Sequence, residues 1–147
     1  MQQRVNIQEA KPEAWKALYH LSGVVANSAL LPIQKHLISM RTSQRNSCAF
    51  CINMHTTEAL QAGESQQRIF LLSAWKETDL FTAEEKAILA VVEEVTLIHQ
   101  HGLTDETYRL AQRFFDEKTI AEIILATVLM NSWNRIAVST QLQVQAA

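Results

Sequence analysis

The stretch Thr82-Ala83-Glu84-Glu85-Lys86-Ala87-Ile88-Leu89-Ala90-Val91-Val92-Glu93-Glu94-Val95 decides the fold class. Thr82 followed three residues later by Glu85 is a capping box, in which each side chain bonds the other residue's backbone N–H. Ile88, Val91, Val92 and Val95, then Ile98, recur at the i, i+3, i+4 spacing of an amphipathic helix. The pattern predicts one helix from Thr82 to just before Gly102. The same reading extends in both directions. Pro12 opens a helix carrying Trp15, Leu18 and Tyr19, and Pro32 opens one carrying Ile33, Leu37, Ile38 and Met40. Asn46 and Ser47, both good caps, start a third that ends at Gly63. Ser65 caps a short helix with Ile69, Leu71, Leu72 and Trp75. Thr104 caps another with Leu110 and Phe114 inward, and the last begins near Asp116 and runs towards Gln141. In that last helix Ile120, Ile123, Ile124, Leu125, Val128, Leu129 and Met130 cover all sides. Such a helix is buried, either centrally in the core or in a subunit contact. No strand pattern competes. The expectation is an all-α, single-domain bundle of about six to seven helices over residues 1–147.

Composition agrees. Three glycines and two prolines in 147 residues fall well short of the roughly 12% of average usage. A turn-rich β-sandwich or barrel and Gly-rich phosphate loops are excluded. Lys+Arg 13 against Asp+Glu 15 gives a net charge of −2, which argues against nucleic acid, whose phosphates need a basic surface. No apolar run approaches the ~20 residues of a membrane span, and Met1-Gln2-Gln3-Arg4-Val5-Asn6 shows no secretory leader. The expected location is the cytoplasm, where two cysteines do not make a structural disulfide framework.

Those two cysteines are the sharpest signal. With Cys48 taken as the start of a helix, about 100° per residue puts Cys48, Cys51, His55 and Glu58 on one stripe. A thiolate is the reactive form of cysteine, and an ordinary thiol near pKa ~8.5 is mostly protonated at neutral pH. The helix N-terminus stabilises a thiolate, His55 can take and return its proton, and Glu58 can orient the ring. Helical Cβ atoms at i, i+3 lie ~5–6 Å apart against ~3.5–4.5 Å in a disulfide. Closing the pair therefore needs a local departure from the helix. Other readings stay open: two inert buried thiols, or part of a zinc site with His55 and one of His20, His36, His99 or His101. His99 and His101 read as helix-terminal, and Trp15, Trp75 and Trp133 as core.

The stretch Ser43-Gln44-x-Asn46-Ser47-Cys48-x-x-Cys51-x-x-x-His55 resembles the signature of AhpD-like alkylhydroperoxidases, within the carboxymuconolactone decarboxylase family. Glu58-Ala59, Gly63-Glu64, Trp75-Lys76-Glu77-Thr78, Leu80-Phe81-Thr82-x-x-Glu85, Glu93-x-x-Thr96 and Asn131-x-Trp133-Asn134-Arg135 continue the likeness over roughly residues 30 to 140. The resemblance implies an all-α fold that assembles as trimers or hexamers, and a dithiol site that reduces hydroperoxides without metal or organic cofactor. It implies that Cys51 meets the peroxide, that Cys48 resolves it into a disulfide, and that His55 belongs to a proton relay. An external dithiol restores the pair. Two positions depart from the family pattern. Ser47 stands where glycine is usual, and His36 stands where the relay begins with glutamate, twelve residues before Cys48. The alternatives are a thiol–disulfide exchange or redox-sensing protein with little turnover, and a metal-binding or structural oligomer.

Overall fold

The computed structural model describes residues 2–144; Met1, with which the leader reading begins, and Gln145 to Ala147 lie outside that span. The order is α1 (Ile7–Ala10), α2 (Pro12–Ala26), α3 (Pro32–Arg45), α4 (Ala49–Gln61), α5 (Gln66–Leu71), a 3₁₀ segment Leu72–Glu77, α6 (Ala83–Thr96), α7 (Ile98–His101), α8 (Asp105–Gln112) and α9 (Glu117–Thr140). No strand occurs among the described residues. The fold is all-α, as the periodicity predicts.

Local chemistry sets most helix starts. In the capping box, Glu85 N–H donates to Thr82 Oγ1 at 3.2 Å and Thr82 N–H donates to Glu85 Oε2 at 2.8 Å. Ser65, Thr104 and Asp116 accept from the N–H groups of Arg68, Thr107 and Thr119.

α3 and α6 lie at the centre, between two apolar clusters. On one side Ile38, Ile88, Val91 and Val92 pack with Ile120, Ile123 and Ala126 of α9. On the other Leu37, Met40 and Leu89 pack with Ala59, Leu72, Trp75 and Phe81. Helices of this kind hold together through such faces more than through intrinsic propensity. By contrast α2 has no buried residue and rests on α9 and α1.

Three expectations are corrected. The helix from Thr82 breaks at Leu97 (φ −95°, ψ 40°), so Ile98 turns outward and is exposed. The break lets the chain reverse at Gly102 (φ 69°), and it lets Glu94 accept hydrogen bonds from Thr104 and Thr107. In α8 the inward residues are Thr107 and Ala111, while Leu110 and Phe114 are half-buried. α8 stops at Gln112, which leaves Phe114 beyond it. In α9 the apolar residues are not all enclosed: Leu125 and Val128 are 47% and 45% exposed. They share one stripe at i, i+3, pointing away from both clusters.

Candidate functional site

The site grows from the corner between α3 and α4. α3 ends in a Schellman turn: Cys48 N–H donates to Ser43 O at 3.0 Å and Ser47 N–H to Gln44 O at 3.2 Å. Asn46 is therefore the C-cap of α3 and not an N-cap of the next helix. Ser47 takes the left-handed conformation, φ 54°. That conformation costs a non-glycine residue roughly 1–2 kcal/mol, which gives a physical reason for the glycine usual there in the resemblance.

Cys48 is the N-cap of α4, in extended conformation (φ −85°, ψ 92°), and its Sγ accepts from Cys51 N–H at 3.3 Å. The stripe expected from Cys48 onward is corrected in this respect. Cys51, His55 and Glu58 lie on the helix, and Cys48 stands just outside it. This departure resolves the geometric difficulty of the C-x-x-C spacing. The Cα atoms are 5.3 Å apart and the pair forms a disulfide, within the usual separation for such a bond. It is buried and packs against Ala137 of α9, with Phe50 and Leu142 beside it.

Beyond Cys51 opens a cavity of about 600 Å³. Cys51, His55 and Glu58 of α4 and His36 of α3 line it, with Ser22, Lys35 and Ser39 as further polar lining. Most of the wall is apolar and aromatic, built from Phe50 and Met54 of α4, Leu129, Met130 and Trp133 of α9, and Trp15 and Tyr19 of α2. Such a shape, apolar with a few convergent polar groups, suits a small organic ligand. Trp15 and Trp133 are thus cavity walls and not core. Their rings meet edge to face at 4.8 Å, and Trp133 Nε1 donates to Ser22 Oγ at 3.0 Å. Trp75 is core.

His55 Nδ1 meets Glu58 Oε2 at 2.9 Å. The His55 side chain is 12% exposed and that of Glu58 49%. His55 Nε2 is buried with no hydrogen-bond partner. With the Nδ1 proton directed at the carboxylate, Nε2 is left as the free acceptor of the ring. His36, from α3, faces the same cavity. Burial lowers its pKa below the ordinary imidazole range; Glu58 and Glu64 pull upward and His55 pushes down, with burial prevailing. His36 is accordingly neutral at pH 7.

The structure brings together all five residues singled out in the sequence. Among the described residues no group of three or more His, Cys, Asp or Glu side chains is arranged to hold a metal ion. None of their helices is long and apolar enough to cross a membrane.

The model of the carboxymuconolactone decarboxylase family matches residues 12–94. The chain belongs to that family. An uncharacterized family relative, YdfG of Bacillus subtilis, is 40% identical over 139 residues, 95% of each chain. A crystal structure from Agrobacterium tumefaciens, of a protein of unknown function suggested to be the antioxidant defence protein AhpD, superposes with TM-score 0.96. It is 38% identical, with 99% of this chain and 100% of that one covered. The debrominase Bmp8, in complex with 2,3,4-tribromopyrrole, shares the fold: TM-score 0.84, 18% identity, 95% of this chain and 74% of its own.

Other motifs quoted for the family turn out to be structural clusters away from the cavity. Glu93 of α6 accepts from Trp75 Nε1 at 3.0 Å and Arg41 Nε at 2.8 Å, and pairs with Lys76 at 3.3 Å. Burial opposes its charge, but these bonds and cations outweigh it and hold the carboxyl below its usual range. Gly63 turns at φ 94°, Arg68 pairs with Glu64 at 3.0 Å and Glu85 at 2.7 Å, and its guanidinium lies over Phe81.

Proposed function

We propose that this protein reduces organic hydroperoxides with its own dithiol. The observation that carries the reading is the redox pair beside an apolar cavity: Cys48 and Cys51 are bonded, and Cys51 lines the cavity together with His55. Of the two thiols it is Cys51 that faces the space a substrate would fill. The family match and the AhpD-like neighbour support the same reading.

In the reduced protein His55 Nε2 takes the proton of Cys51, with Glu58 orienting the ring through Nδ1. The Cys51 thiolate attacks the terminal oxygen of ROOH. The O–O bond breaks, Cys51 becomes a sulfenic acid, and the leaving alkoxide takes a proton from His55 to give ROH. Cys48 then displaces hydroxide from the Cys51 sulfur, forming the disulfide and, with its own proton, water. An external dithiol reduces the disulfide by exchange. The apolar walls match the organic part of the substrate. The cycle suits the cytoplasm, where such reductants are kept reduced.

The chain works as one domain, and the exposed pair Leu125 and Val128 on α9 supports assembly with further copies, as trimers or hexamers. Sedimentation should give a mass well above the 16.7 kDa chain; a monomer at all concentrations would refute the assembly.

Rapid mixing of the reduced protein with hydrogen peroxide and with bulkier organic hydroperoxides tests the chemistry. Disulfide formation should be faster with the organic compounds. A second reading, disulfide exchange without turnover, is favoured by His36 standing at the relay position. It would be selected by a pair that exchanges readily with dithiols but stays reduced in excess hydroperoxide.

A further inference from the structure

The motif Asn131-x-x-Asn134 on α9 takes no part in the chemistry above, yet its side chains converge on the cysteine corner. Asn46 Nδ2 donates to Asn131 Oδ1 and to Asn134 Oδ1, each at 2.9 Å. Asn134 is completely buried, and its own Nδ2 donates to Ser43 Oγ at 3.0 Å. Asn131 Nδ2 donates to Thr96 Oγ1 at 3.2 Å and to Thr127 O at 2.9 Å. Arg135 Nη1 donates to Asn131 Oδ1 at 2.7 Å. Ser43 and Asn46 bracket the turn, and Ser43 O also receives the N–H of Cys48.

We propose that Asn46, Asn131 and Asn134 are positioning residues for the resolving thiol: they clamp the α3–α4 turn to α9 so that Cys48 is held against Cys51. The turn's own backbone bonds leave Ser47 in the left-handed region, which costs a serine more than a glycine. Tertiary hydrogen bonds offset that local cost. The clamp ends two residues before Cys48. Cys51 sits within α4, whereas Cys48 is its N-cap, tied to the helix by one backbone bond, from Ile52 N–H to Cys48 O at 2.9 Å. Loosening the clamp therefore moves one sulfur relative to the other and lowers their effective concentration. It leaves the Cys51–His55–Glu58 stripe in place.

The consequence is a split between steps. Attack of Cys51 on peroxide is insensitive to the clamp, whereas disulfide closure by Cys48 depends on it. The second step rests on the proposed peroxidase reading, but the disulfide equilibrium does not. The experiment accordingly reads the equilibrium first, through exchange with a glutathione buffer. Asn46→Ala and Asn134→Ala should each lower the effective concentration of the pair at least tenfold, about 30 mV towards easier reduction for a two-electron couple. After a peroxide pulse the sulfenic acid on Cys51 should persist at least tenfold longer, at an unchanged rate of formation. Trp75→Phe, which removes one hydrogen bond from the Glu93 cluster, serves as the structural comparison. It should lower the Tm and leave the exchange equilibrium alone. Should Asn134→Ala fail to fold, Asn46→Ser at the half-buried end carries the test. If the asparagine variants lower the Tm as Trp75→Phe does but keep the glutathione equilibrium within twofold of the wild type, the clamp is only structural and the proposal is overturned. If the equilibrium shifts while no hydroperoxide oxidises even the wild type, the peroxidase reading fails and the clamp stands.

Discussion

Two walls of the same cavity are built in opposite ways. The α4 wall carries the proposed redox pair and its histidine, with a buried disulfide, a Schellman turn and a layer of asparagine bonds behind it. The α2 wall brings no acid, thiol or imidazole to the cavity and has no buried residue of its own. It is held by the Trp15–Trp133 edge contact and the bond from Trp133 to Ser22, and Tyr19 is 68% exposed. A reacting sulfur tolerates little misplacement, while an apolar substrate body needs only a surface to lie against. Changes on the α4 side should therefore alter rate, and changes on the α2 side should alter which substrate is preferred.

The largest effect on the α4 side is expected at His55. His55→Ala should slow Cys51 oxidation roughly 10²–10⁴-fold, the range of a well-placed general base, for every hydroperoxide alike. Glu58→Gln should cost less, because a half-exposed carboxylate orients the ring in competition with water. Stopped-flow rates across several peroxides check both.

His36 sharpens the α4 side next. A neutral imidazole gives His55 weaker support than a carboxylate does. His36→Glu should raise the rate at pH 7 by roughly tenfold, a partial recovery of a general-base contribution; an unchanged rate would move attention to Glu58. The wild-type rate should climb between pH 6 and 8 as thiolate becomes easier to form. Stability has its own sign. The folded pKa of His36 is lowered, so below about pH 6.5, the ordinary imidazole value, the unfolded chain binds the proton more readily than the folded one. Stability is lost as pH falls through that window. Urea midpoints compared at pH 7.5 and 5.5 should drop less in His36→Gln.

The α2 wall gives a smaller and different effect. Trp15→Ala removes an aromatic face of the cavity and an edge contact worth about 0.5–1.5 kcal/mol of stability; KM for a bulky hydroperoxide should rise. Turnover of hydrogen peroxide should stay unchanged. Equal losses for both would show that α2 supports the catalytic wall itself. The smallest expected effect is Ser47→Gly, which relieves the left-handed serine (φ 54°). It should raise stability by up to about 1 kcal/mol, less the extra freedom glycine gains when unfolded. Thermal melts of the oxidised protein measure it.

Legibility in the sequence followed the range of the interactions. Thr82, Ser65, Thr104 and Asp116 each bond an N–H group three residues away, so their caps are readable along the chain. The stripe Cys51, His55, Glu58 was readable for the same reason. Asn46 and Ser47 suit either end of a helix in sequence; the partners of the Asn46 side chain, Asn131 and Asn134, lie more than eighty residues away and leave no local mark. Trp15 and Trp133 looked like core, since periodicity marks an inward face but not whether the space behind it is filled. The break at Leu97 goes with the bond from Thr104 N–H to Glu94, a contact ten residues away that the unbroken apolar pattern does not reveal.

In the proposed cycle Cys51 attacks and Cys48 resolves. Its most direct measurement is mass spectrometry of two single variants after a stoichiometric pulse of an organic hydroperoxide. Cys48→Ser should carry one added oxygen, trapped as sulfenic acid on Cys51, at nearly the wild-type rate of formation. Cys51→Ser should leave Cys48 reduced. Oxidation of Cys48 in the second variant, with Cys51 inert in the first, would contradict the account and place the reactive thiolate at the N-cap, on the Cys51 N–H, instead of beside His55.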